Sequence, residues 1–82
     1  MPVPKVTVYS RSGCHLCEKL IAQLKTLRAE AEFTWEEVNV DEDPVLRECY
    51  NEKVPVVAMG GEDIFFHHLD DGKFLEKLRA SG

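Results

Sequence analysis

Positive charge is in short supply along this 82-residue chain: 10 Lys and Arg stand against 15 Asp and Glu, for a formal net charge of −5 with the histidines neutral. The acids gather in Glu30, Glu32, Glu36, Glu37, Asp41, Glu42 and Asp43. Such a surface repels a phosphate backbone, which argues against nucleic acid as a partner. Long apolar runs are missing too; none approaches the ~20 residues of a membrane span, so no membrane partner is expected. Cysteines number three, an odd count in which two are close neighbours, unlike the framework of a secreted disulfide scaffold. Met1-Pro2-Val3-Pro4-Lys5 leads straight into a strand pattern, with neither the apolar stretch nor the small-residue cleavage site of a signal peptide. The expected setting is a reducing cytoplasm. Repeats, linkers and low-complexity segments are absent, and the length allows one domain, residues 1–82, burying only about 60% of its unfolded surface.

What is present centres on Ser10-Arg11-Ser12-Gly13-Cys14-His15-Leu16-Cys17. Two thiols stand three residues apart where a β-rich segment, residues 6–9, gives way to a helical pattern. Leu20, Ile21, Leu24 and Leu27 define one helical stripe, at roughly 100° per residue, with Cys17 near its middle. Cys14 falls at the first turn, where unpaired N–H groups and the positive end of the macrodipole favour a thiolate. One sulfur is therefore expected to be accessible and nucleophilic and the other sheltered but within reach. That asymmetry suits thiol–disulfide exchange: Cys14 attacks a disulfide and Cys17 resolves the mixed disulfide. Gly13 is open to two readings, a positive φ or close approach to a substrate on one side, an ordinary loop glycine on the other.

The rest of the chain reads in order. Residues 6–9 lack polar alternation, as a strand buried on both faces would. A helix spans residues 14–29, and a second strand, residues 33–40, shows an apolar phase shift between Trp35 and Val38 that suggests a bulge or twist. Asp43-Pro44 marks a helix start. That short helix presents Val45, Leu46, Cys49 and Tyr50 on one face, so Cys49 is expected to be a small buried core residue. Residues 54–59 and 63–67 form an antiparallel hairpin around Gly60-Gly61. Asp70 caps the last helix, with Leu69 and Phe74 as a hydrophobic staple.

This element order, with Cys-x-x-Cys opening the first helix and Val54-Pro55 opening the third strand, resembles the glutaredoxins of the thioredoxin superfamily over nearly the whole chain. It is most similar to small bacterial glutaredoxin-like proteins whose site reads Gly-Cys-His-Leu-Cys-Glu, as Gly13 to Glu18 do here. The resemblance implies an α/β, thioredoxin-like fold with three helices and a four-stranded mixed sheet in which the second strand neighbours the first, then the third and the fourth. It implies Cys14 as nucleophile, Cys17 as resolving thiol and a cis Val54–Pro55 bond, whereas an X-Pro bond is otherwise cis in only about 5–6% of cases. The freed Val54 backbone would then pair with an extended substrate. Arg11 and Lys53 would meet a glycine carboxylate of glutathione, and Asp70 and Asp71 its γ-glutamyl amine. The resulting expectation is a monomeric oxidoreductase with no bound cofactor and no metal, acting on protein or small-molecule disulfides. Glutathione or a reductase would recharge it.

Two features depart from the family. His15 and Leu16 stand between the thiols in place of Pro-Tyr, so the family's potential does not transfer. His67 and His68 occupy the place of a glycine pair before the last helix, putting side chains where the tripeptide needs room. Adjacent strand residues point to opposite faces, so at most one of these histidines should face the thiols, giving a surface histidine beside a structural one. His15, opposite the apolar stripe, reads as a solvated side chain; the sharper alternative is that its protonated form lowers the Cys14 pKa. The competing class is a metal or iron–sulfur module using Cys14, Cys17 and a histidine, or a thioredoxin-fold binding protein with incidental cysteines.

Overall fold

The computed structural model describes residues 3–81; Met1 and Pro2, part of the segment read for a signal peptide, and Gly82 lie outside the described residues. The strands are β1 (Lys5–Ser10), β2 (Thr34–Asn39), β3 (Val56–Met59) and β4 (Glu62–Phe66), and the helices α1 (His15–Leu27), α2 (Pro44–Tyr50) and α3 (Asp71–Ser81), with a 3-10 turn over Val40–Glu42. The sheet order is β2-β1-β3-β4, β1 running parallel to β2 and antiparallel to β3. This is the expected mixed topology. The cysteine pair therefore lies at the carboxyl end of β1, where open α/β sheets place their sites.

One sheet face is thickly covered. Val6 and Val8 of β1 and Val57 and Met59 of β3 meet Leu20, Leu24 and Leu27 of α1 and Phe74 and Leu78 of α3. Phe33 and Phe74 meet edge to face, with centroids 5.2 Å apart. Each fully buried side chain of this size contributes on the order of 1.5–3 kcal/mol. On the opposite face Thr7 and Tyr9 stay half-buried, so β1 is closed on one face only, contrary to the expectation of two. The physical reason is that α2 is alone there and short.

β2 pairs with β1 in unbroken parallel register, Val6 opposite Trp35 and Tyr9 opposite Val38. The bulge expected in β2 is absent: Trp35 and Val38 are an odd number of residues apart and face opposite sides, so a regular strand accommodates both. The irregularity lies instead between β3 and β4, at Val57/Ala58, where β4 carries an extra residue on the sheet edge. Gly60 and Gly61 both adopt positive φ, 62° and 82°, as a two-residue hairpin turn requires.

Two caps match expectation. Asp43 accepts from the Val45 and Leu46 backbone N–H groups ahead of Pro44. Asp70 accepts from the Lys73 N–H at 3.0 Å, and Leu69 and Phe74 join the core together. α2 overturns another expectation, since none of its residues is buried: Val45 is 67% exposed and Cys49 lies on the surface. Only Leu46 and Tyr50 touch the interior.

Candidate active site

Cys14 is the N-cap of α1, and its sulfur accepts the backbone N–H of Cys17 at 3.2 Å. The two sulfurs lie at disulfide distance, with Cα atoms 5.2 Å apart. Their environments differ: Cys14 is half-buried, whereas Cys17 is 2% exposed. The helix N-terminus thus donates an N–H to the more accessible sulfur and shelters the other. Gly13 takes φ 73°, a backbone conformation that favours glycine, and no atom of the protein lies within 4 Å of where a Cβ would stand.

The Val54–Pro55 bond is cis. Pro55 is buried, and Val54, 8% exposed, belongs to a small cluster with Cys17 and Val40, against which Cys14, Tyr9, Leu46 and Tyr50 pack. Tyr9 stacks on Tyr50 at 4.5 Å, and the Tyr50 hydroxyl donates to the Asp63 carboxylate at 3.2 Å. Burial first and the nearby Asp63 charge second push the Tyr50 phenol up to about 12. Neither tyrosine stood out in the sequence as a site residue. The available signal was Tyr9's place at the end of the strand that leads into the cysteines.

The four residues expected to meet glutathione are placed as follows. Arg11 donates to Asp41 at 3.0 Å and to the Asn51 side chain and carbonyl at 2.8 and 3.1 Å, tying the site loop to the start and end of the α2 region. Ser10 and Ser12 flank it with contacts to Glu37 at 2.7 Å and Asn39 at 3.4 Å. Lys53 is exposed next to Val54. Asp70 caps α3, while Asp71 accepts from Gln23 of α1, whose amide also reaches the Leu69 carbonyl at 2.8 Å.

His67 and His68 correct an expectation. β4 ends at Phe66, so strand alternation no longer governs them. Both are exposed, and both line one cavity of about 160 Å³ beside Leu16, so the pairing of a surface with a structural histidine does not hold. His67 takes φ 68°, inside a tight turn in which the His68 N–H reaches the Phe66 carbonyl at 2.7 Å. His15 is exposed, 3.7 Å from Glu18. Among the described residues no group of three or more His, Cys, Asp or Glu converges to hold a metal ion.

The Glutaredoxin-like domain (DUF836) family matches residues 5–79. The chain belongs to that glutaredoxin-like family. An uncharacterized protein of Mycobacterium tuberculosis, Rv0508, is 29% identical over 98% of this chain and 84% of its own length. The solution structure of Ne2328 from Nitrosomonas europaea is 33% identical, with a TM-score of 0.83 over 94% of this chain and 93% of that one. Oxidized mitochondrial thioredoxin 3 of Saccharomyces cerevisiae, at 19% identity and a TM-score of 0.66 over 94% of this chain and 77% of that one, shares the fold. This glutaredoxin-like protein thus has the thioredoxin fold, and its cysteine pair at disulfide distance points to redox chemistry. No helix among the described residues is long and apolar enough to cross a membrane.

Proposed function

We propose that the protein is a thiol–disulfide oxidoreductase that reduces protein or small-molecule disulfides through Cys14 and Cys17. The observation that carries this reading is the asymmetric pair at the N-cap of α1, half-buried Cys14 accepting an N–H and Cys17 enclosed behind it. The Cys14 thiolate attacks one sulfur of the substrate disulfide and expels the other as a thiolate, leaving a mixed disulfide. Cys17, as its thiolate, then attacks Cys14, releases the second substrate thiol and closes the Cys14–Cys17 bond. Two electrons have passed to the substrate, and a cytoplasmic thiol, glutathione or the dithiol of a reductase, returns them. Val54, freed by the cis proline, offers its backbone to an extended substrate.

The chemistry is tested by equilibrating the protein in glutathione buffers, quenching with acid, alkylating, and reading each cysteine by mass spectrometry. A reversible Cys14–Cys17 couple is expected. Cys14→Ser should abolish turnover of a disulfide substrate and Cys17→Ser should accumulate the mixed disulfide; unchanged turnover in Cys14→Ser sinks the mechanism.

A further inference from the structure

The cavity beside Leu16 sets two histidines and a lysine against an apolar wall. Leu16, Leu20 and Leu69 make its apolar part, and Lys19, Gln23, His67 and His68 its polar part. On a chain with five more acids than bases, no acid lines it. Asp71, which lies nearby, is already engaged by the Gln23 amide. What remains facing a ligand is donor-rich: an ammonium and two imidazoles, the groups that bind a carboxylate.

Its position ties it to the thiols from two directions. Leu16 lies between Cys14 and Cys17 in the chain and is 37% exposed. The His67 N–H donates to the Pro55 carbonyl at 2.7 Å, fastening the histidine turn to the segment that borders the cysteines. The turn itself argues for use of its side chains. A φ of 68° is uncommon outside glycine, histidine being among the side chains that tolerate it best, and residues held in such conformations cluster at functional sites. The cavity, of about 160 Å³, has room for a carboxylate side chain.

We infer that this cavity is a specificity pocket for an acidic side chain, a glutamate or aspartate next to the cysteine under attack in a protein disulfide. The inference rests on the oxidoreductase reading and names its substrate class. Lys19, His67 and His68 bind the carboxylate, while Leu16 and Leu20 cover its methylenes.

The test uses two symmetric peptide dimers, each joined by one disulfide and identical except for Glu or Gln next to the cysteine. Each is mixed with pre-reduced protein, and the rate constant of a single turnover is read at low ionic strength. The Glu dimer should react about fivefold faster, the scale of one exposed charge contact. His67→Gly, which suits the positive φ, and His68→Ala should each move that ratio toward one, and Lys19→Glu should invert it. Lys77→Gln, outside the pocket, should leave it at fivefold. Equal rates in the unaltered protein, or a preference that survives all three pocket substitutions, overturn the pocket alone. Slower reduction of glutathione disulfide in those variants, with a Glu-to-Gln ratio of one throughout, also overturns it and assigns the carboxylate to glutathione. Reduction of neither dimer overturns the oxidoreductase reading and the pocket with it.

Discussion

The two faces of the sheet are built by different means. On the side of α1 and α3, Val6, Val8, Leu24, Phe33, Val57 and Phe74 reach zero exposure in one continuous core. On the side of α2, Val40 and Val56, the latter opposite Tyr9, do so, but no residue of α2 itself is buried. Polar contacts hold that side: Arg11 to Asp41 and Asn51, and Tyr50 to Asp63. The cysteines sit on the seam. Cys17 belongs to the helix that anchors the thick face, yet its neighbours are those of the thin one. The difference assigns stability to one face and leaves the other free to vary around the thiols, since local opening starts where buried apolar contacts are few.

The comparison is broken most directly by removing one apolar side chain from each face. Phe74→Ala deletes a fully buried ring and should cost about 3–5 kcal/mol, a large part of the ~5–15 kcal/mol that holds a domain together. Leu46→Ala, from a half-buried position on α2, should cost about 1 kcal/mol, toward the small end of the range for point substitutions. Urea denaturation of both variants measures the gap. Equal losses would mean that the thin face carries as much stability as the thick one.

Alkaline pH probes the thin face by itself. The phenol of Tyr50 rises from an ordinary 10 to about 12 in the folded protein, through burial and the adjacent Asp63. The folded state therefore holds this proton more tightly than the unfolded chain does. The corresponding stability is fully present below pH 10 and is lost as pH climbs toward about 12. The denaturation midpoint of the unaltered protein should fall more steeply across that window than that of Tyr50→Phe. Parallel curves would show that the hydroxyl is solvated and that the Tyr50–Asp63 tie is not maintained.

The two faces were also unequally legible in the amino-acid sequence. Where a neighbour within four residues decides the outcome, the local reading holds: Asp43 before Pro44, Asp70 below Lys73, Leu69 with Phe74, the cysteine that opens α1. The strand order and the cis proline came from family resemblance, since their causes lie far apart in the chain. Apolar residues on α2 suggested a buried face, but seven residues make a helix about 10 Å long. Four strands about 4.8 Å apart are wider than that, so the outer strands' side chains on this face, Glu36 and Phe66, stay exposed whatever the helix carries. Arg11 stands where the family resemblance places a ligand contact; its ties to Asp41 and Asn51 span 30 and 40 residues, beyond any local pattern. For His67 and His68, the strand rule was extended just past the end of β4, where a tight turn brings both to one cavity.

Cys49 sharpens the contrast through the smallest effect. A serine in a buried, apolar position would leave a hydroxyl without a partner at a cost of about 1–3 kcal/mol. On the exposed side of α2 both thiol and hydroxyl are hydrated, so Cys49→Ser should shift stability by less than about 0.5 kcal/mol. The same exposure predicts chemistry. With Cys14 and Cys17 oxidised, brief alkylation of the native protein should add one label, at Cys49, before any denaturant is present. A thiol that reacts only after unfolding, together with a destabilised serine variant, would put a packed core beneath α2 and remove the asymmetry between the faces.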